Sequence, residues 1–288
     1  MSVASSARRF PTELLDAIRT HDRASLSPPE PPSRPTIDEQ SERYDACRAL
    51  QAAGVRCTLW FEDADRYHGV PTVLFDIYIL VDDMDAAERV LTQVGWQPTT
   101  INQGKVGSAV LSSPVVRLVP PGVDPIPPPK PPPLEGNGSV FYRLPTTVAL
   151  LPAHVWSYDL TTHPPDSLFP RLPALLDAMI DTTLTDSDEM GHERWAIGIH
   201  IAYLYHYVRE IRDPAFVQSL RFDNRQFHND ICAGMMVGTV PVAAHGRRVR
   251  EEIRRGERQM IEQCSDWEDP RLFFLIVHNR TSLSNADG

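Results

Sequence analysis

Thr58–Asp83, TLWFEDADRYHGVPTVLFDIYILVDD, decides how the rest of the chain is read. Cys57 to Phe61 is a short apolar run that stops at the acidic pair Glu62 and Asp63. Ala64 to His68 has room for one helical turn, and His68-Gly69-Val70-Pro71 breaks it. Val73 to Val81 is rich in β-branched and aromatic residues, the composition of a buried strand. Asp76 is the single charge in that run. A carboxylate inside such a strand is costly unless it is paired, hydrogen-bonded or turned into a cleft. Asp76 is therefore the first candidate functional residue.

Three pieces of this stretch, Leu59-Trp60-Phe61-Glu62-Asp63-Ala64, His68-Gly69-Val70-Pro71 and Asp76-Ile77-Tyr78-Ile79-Leu80-Val81, together resemble the signature of nucleotidyltransferase-fold proteins. The likeness is to the small toxin–antitoxin and minimal-nucleotidyltransferase type, and to uncharacterised fungal members. It covers about a seventh of the chain and includes the helix expected to follow at Asp85–Val94. The family's pattern has a small Gly-Gly or Gly-Ser pair where Phe61 and Glu62 stand, and a second metal-binding carboxylate where Tyr78 stands. Its third carboxylate falls in the strand candidate Val115–Val119, whose charged residue is Arg117.

The resemblance implies an α+β fold: a nucleotidyltransferase-like mixed sheet with flanking helices, followed by an all-helical C-terminal domain. It implies a ligand cleft between the two. Asp76 would be the metal ligand or the base, with Glu62 and Asp63 as accompanying catalytic carboxylates. With its motif altered, the chain would lack ordinary two-metal nucleotidyl transfer and would serve as a small-molecule group-transfer or cyclisation enzyme, as in fungal secondary metabolism. Two alternatives stand beside this. One is a catalytically dead binding or scaffold protein, in which Phe61 and Tyr78 fill the old pocket. The other is a one-metal enzyme holding Mg²⁺ on Asp76 with Glu62 or Asp63. No other cofactor is indicated.

Composition bounds the rest. The chain has 288 residues, 42% hydrophobic and 23% charged, the make-up of an ordinary globular protein. A net charge of −10 speaks against nucleic acid as a partner. The partner expected is a small-molecule ligand, with no membrane, since no apolar run approaches a spanning length. Cys47, Cys57, Cys232 and Cys264 have neither metal nor disulfide spacing, and the N-terminus lacks the apolar core of a signal peptide. Cytoplasm is the expected location.

In chain order, residues 1–36 read as a short helix at Pro11–Arg19 and a proline-rich linker. Residues 37–160 form the α/β domain, opened by a helix capped by Thr36 and Glu39 that runs to about Ala53. Short strands are expected at 96–100, 109–111 and 115–119. Residues 120–133 hold nine prolines, the signature of a stiff polyproline loop. Phe141–Leu151 returns to strand composition, and His154 and Trp156 follow its end as cleft wall or domain junction. Residues 165–280 form the helical domain, with helices at 168–184, 187–212, 216–236 and 242–263 and a last short one from Asp269; residues 281–288 form a disordered tail. In the second helix Ile197, Ile201, Leu204, Val208 and Ile211 make a core stripe. The neighbouring face carries His200, Tyr203 and Tyr207, read either as groups donating into a cleft or as a packed seam with satisfied polar tips. Candidate ligand-binding residues are thus Trp60, His68, Tyr78, Arg117, His154, Trp156, His200, Tyr203 and Tyr207. Six arginines between Arg247 and Arg258 read as a solvated face or a phosphate-binding patch.

Overall fold

The computed structural model describes residues 37–101, 115–126, 145–185 and 191–261, the side chains of 191–195 excepted. The expected helix at Pro11–Arg19, the strand at 109–111, residues 127–133 of the proline-rich run, the last helix and the tail lie outside the described residues.

The first helix, α1 (Asp45–Ala52), follows a 3₁₀ turn at Glu42–Tyr44. Helical structure begins later than Thr36: Ser41 caps the 3₁₀ turn, accepting from the Arg43 N–H at 3.3 Å, and α1 follows from Tyr44 without a side-chain cap. Gly54, at φ 78°, turns the chain into β1 (Cys57–Trp60). Phe61 and a short helix α2 (Glu62–Tyr67) come next. Strand β2 spans Ile77–Val81 and begins after the expected Val73. Arg43 explains the delay: its guanidinium donates to the carbonyls of Phe75 and Asp76, both at 3.2 Å, so a side chain bonds there instead of a neighbouring strand.

Asp83 caps α3 (Met84–Gln93), accepting from Ala86 N–H at 2.9 Å. Three strands complete the sheet: β3 (Gln97–Pro98), β4 (Val116–Val119) and β5 (Val148–Pro152). Their order is β1-β2-β5-β4-β3; β2 and β5 run parallel, and every other neighbouring pair is antiparallel. The result is a mixed α+β fold.

Beyond β5 the described residues form helices and loops. They include α4 (Leu172–Leu184), α5 (Gly191–Tyr207), α6 (Arg225–Cys232) and α7 (Val240–Arg254), joined by 3₁₀ turns. The single helix expected over 216–236 is broken at Leu220-Arg221. Asp177 on α4 takes the Arg221 N–H at 3.0 Å and the Asn224 amide at 2.8 Å, which holds the chain in a bend. In α5, Gly198 is required by a close approach: a Cβ there would lie 2.3 Å from Gly238 Cα.

Both faces of β1, β2 and β5 are buried, as their continuous apolar runs require, while β3 is exposed. Leu59, Ile77, Ile79, Val81, Val148 and Leu150 pack with α1 and α3. Trp60, Tyr78, Leu80, Ala149 and Leu151 share one core with residues of α4 and α5, among them Leu175, Leu176, Ile180, Ile197, Ile201 and Leu204. The expected stripe is buried, but the helix stops at Tyr207, so Ile197, Ile201 and Leu204 lie in α5 while Val208 leads into, and Ile211 belongs to, the 3₁₀ turn that follows. No helix among the described residues is long and apolar enough to cross a membrane.

Candidate functional site

Strand pairing sets a row of residues across the helix-facing side of the sheet. Trp60 stands opposite Tyr78, Tyr78 opposite Ala149, and Ala149 opposite Arg117. Ala149 is the small member, and the Arg117 side chain reaches toward β2 from the strand on the other side of it. There Arg117 Nη1 donates to Asp76 Oδ2 at 2.9 Å and to Thr147 Oγ1 at 3.1 Å. The Thr147 N–H donates to Asp76 Oδ1 at 3.1 Å. Asp76 is wholly buried, and the compensation its position demanded comes from inside the fold. Tyr78 lies on the same face, where burial raises its phenol above the ordinary range and the charges of Glu62 and Asp76 add to the effect.

At the end of β1 the chain turns on Phe61, which has φ 52° and ψ −127°, a conformation suited to glycine. Such a residue stores about 1–3 kcal/mol and persists only where its surroundings hold it. Here the ring is 1% exposed and packs edge-on against Tyr78 and Trp156, at 5.1 and 5.0 Å, while stacking on the His200 imidazole at 4.8 Å.

The turn points three carboxylates of α2 inward. Asp63 is held by Arg43 through two bonds of 2.8 Å and by the Tyr44 hydroxyl at 3.2 Å. Asp65 meets α5 instead, its Oδ2 2.7 Å from His200 Nδ1. Its second oxygen, Oδ1, is buried without a hydrogen bond, as is Glu62 Oε2. Burial lifts the carboxyls of Glu62 and Asp65, with His200 opposing both shifts. For His200, burial favours the neutral ring, but the Asp65 carboxylate outweighs it and the imidazole sits above its ordinary value. With Nδ1–H on Asp65, the free position of the neutral ring is Nε2, which makes no hydrogen bond among the described residues. The arrangement is an oriented imidazole beside a second, poorly solvated carboxyl, suited to receiving and returning a proton.

The candidate residues are therefore not gathered at one point. Glu62, Tyr78, Trp60, Trp156 and His200 surround Phe61 in the core shared by sheet and helices. Asp63 and Asp76 each have a guanidinium partner. His68 lies apart, bonded through Nε2 to the Pro170 carbonyl at 2.9 Å. His154 is exposed, and Tyr203 and Tyr207 are each 43% exposed, so the face of α5 splits: His200 is inside and the tyrosines face out.

Among the described residues no group of three or more His, Cys, Asp or Glu side chains is placed to hold a metal ion. A magnesium ion asks for several hard oxygen ligands. Asp76 and Asp63 have theirs committed to Arg117 and Arg43, which leaves Glu62 as the one of the three expected carboxylates with an unbonded oxygen, too few for that ion. Sequence reasoning did not single out Arg43, Asp65 or Thr147. Asp65 had a signal in the acidic run Glu62-Asp63-Ala64-Asp65, but its partner lies 135 positions away.

Among the described residues, cavities occur elsewhere, two of them notable. One, about 330 Å³, lies between the α1–β1 turn and the segment Leu160–Pro165. The other, about 290 Å³, lies among arginines and aspartates of the helical region. Comparison with protein-family models, curated proteins and solved structures gave no match for the chain.

Proposed function

We propose that the chain is a nucleotidyltransferase-like protein that has exchanged its metal-binding carboxylates for internal ion pairs. In this reading it catalyses metal-independent proton transfer on a small molecule, within a group-transfer or cyclisation step. The observation that carries it is the Asp65–His200 pair: a 2.7 Å contact, both residues buried, with Nε2 of the ring uncommitted. His200 is the base and then the acid. Asp65 fixes its tautomer, and Glu62, raised by burial, supplies or takes the second proton. Such a positioned pair contributes about 10²–10⁴ in rate.

One observation favours a second reading, a binding or scaffold protein. Phe61, Tyr78 and Trp156 fill the space between sheet and helices, and neither cavity is lined by His200.

A panel of small metabolites and the four common nucleoside triphosphates, each with and without Mg²⁺, separates the readings by thermal melting. A ligand at a hundred times its Kd stabilises by about 2.7 kcal/mol, which a melt resolves. The proposal expects a stabilising ligand that is converted in the presence of EDTA, with conversion lost in His200→Gln. A ligand bound but never converted supports the second reading. Labelled nucleotide incorporated with Mg²⁺ by the wild type, and not by Asp76→Asn, overturns both.

A further inference from the structure

The six arginines near the end of α7 do not share one environment. Arg248, Arg254 and Arg255 have side chains 44–59% exposed, whereas that of Arg250 is 12% exposed. Arg250 Nη1 donates to Asp181 Oδ1 at 2.7 Å and to Asn224 Oδ1 at 3.3 Å. Its Nε and Nη2 donate to no described group. A guanidinium carries five N–H donors in a fixed fork, and these two are not sealed from solvent, so an entering group can reach them.

Arg250 stands on the wall of the 290 Å³ cavity, with Ser157, Asp181, Arg221, Asp223 and Arg254. The carboxylates there are already engaged. Asp181 meets both Arg250 and Arg221, and Asp223 takes the Nε and Nη2 of Arg254 at 2.8 and 2.6 Å. Outside the lining, Glu251 accepts from Arg254 Nη1 at 2.8 Å and Asp177 lies 3.9 Å from Arg221, so the flanking arginines are paired and the unengaged donors are those of Arg250. The Arg250 pKa is lowered first by burial and then by Arg254, with Asp223 and Glu251 opposing. Ser157 occupies left-handed backbone, φ 53°, on the same wall. It follows Trp156 directly, so the cavity adjoins the aromatic cluster around Phe61 without including it.

We propose that this cavity binds the anionic group of a small molecule, a phosphate or a carboxylate, on the free fork of Arg250 with Arg221 and Arg254 at its mouth. Oxyanions match guanidinium geometry in paired, charge-assisted hydrogen bonds. The volume is near the lower end for ligand sites and suits a compact anion. The net charge of −10 belongs to the whole chain, whereas an entering anion meets the Arg250 fork at hydrogen-bond range. The site is separate from the Asp65–His200 pair, and neither depends on the other.

The test uses the full chain in a buffer free of oxyanions. Inorganic phosphate and malonate are titrated by calorimetry and followed by melting, with sodium chloride at matched ionic strength as the control. The expected result is saturable binding of at least one anion with Kd below about 10 mM, and a rise in melting temperature that chloride does not give. The tighter of the two identifies the anion's source. Arg221→Gln and Arg254→Gln, at more exposed side chains, are each expected to weaken it at least about tenfold while the chain stays folded. Arg250→Lys keeps the charge but not the fork and is expected to weaken it further. The proposal is overturned if neither anion binds beyond the chloride control, or if Arg221→Gln/Arg254→Gln binds as tightly as the wild type.

Discussion

Replacing Arg117 with methionine tests whether Asp76 is a structural charge. The pair is deeply placed, with side-chain exposure of 10% for Arg117 and 0% for Asp76. Methionine keeps much of the aliphatic length and removes the cation. The Asp76 carboxylate then retains the Thr147 N–H at 3.1 Å, while Arg43 reaches the main-chain carbonyl of Asp76, at 3.2 Å. Stranding one member of a buried pair costs about 3–5 kcal/mol. The remaining N–H and the option of protonating the carboxyl place this case near about 3 kcal/mol. A neutral hydrogen bond would account for only about 1 kcal/mol, so the two accounts are distinguishable. In urea unfolding, with a slope of about 2–3 kcal/mol/M, the midpoint is expected to fall by more than about 1 M. Asp76→Asn in the same background removes the stranded charge and keeps an acceptor for Thr147, and is expected to restore at least half of the loss. A loss under about 1 kcal/mol, or no recovery in the double variant, refutes the reasoning. So does Arg117→Met stabilised by Mg²⁺ where the wild type is not, since Asp76 would then be a competent cation ligand.

Phe61 offers a contrast between two truncations. Both Phe61→Ala and Phe61→Gly lose the ring and about 3–5 kcal/mol, but glycine also relieves the positive φ, so Phe61→Gly is expected to be the more stable by about 1 kcal/mol, the reverse of the usual order; a denaturant midpoint for Phe61→Ala at or above that of Phe61→Gly contradicts the strain. His228, 4% exposed, has its pKa lowered by burial from 6.5 to about 4. The unfolded chain binds this proton first on acidification, so the contribution is intact above pH 6.5 and lost as pH falls toward about 4, by about 3 kcal/mol in all. Stability of His228→Gln measured over that window is expected to fall less steeply than wild type, and parallel curves count against it.

Some of this was legible in the sequence because it depends on neighbours. The apolar runs at Cys57–Trp60 and Ile77–Val81 declare their strands, and the period of Ile197, Ile201 and Leu204 declares the buried side of α5. The need of Asp76 for a partner was also legible, and the partner's identity was not: Arg117 becomes available only once β4 lies beside β5. The bend at Leu220-Arg221 escapes local reading for the same reason, since it answers to Asp177, 44 positions earlier. The face His200, Tyr203, Tyr207 has one helical period but two environments, because α2 covers only the first of them.

The borders of the sheet carry a further consequence. On one side, β3 is two residues long and includes Pro98, which has no N–H to offer an incoming chain. On the other side β1 is guarded differently: the Leu168 carbonyl accepts from the Leu59 N–H at 2.8 Å and from the Thr58 hydroxyl at 3.2 Å. The guard belongs to the connection leading into α4, which is itself anchored: Gln51 Nε2 donates to the Ser167 carbonyl at 2.8 Å, His68 Nε2 lies 2.9 Å from the Pro170 carbonyl, and Phe169 stacks on Tyr67 at 4.3 Å. Leu168 and Phe169 also belong to the core on that side of the sheet, so baring β1 would cost core packing as well as these bonds. Edge-to-edge association through β1 would therefore have to wait on partial opening of the fold, whereas β3 is blunted by its own sequence.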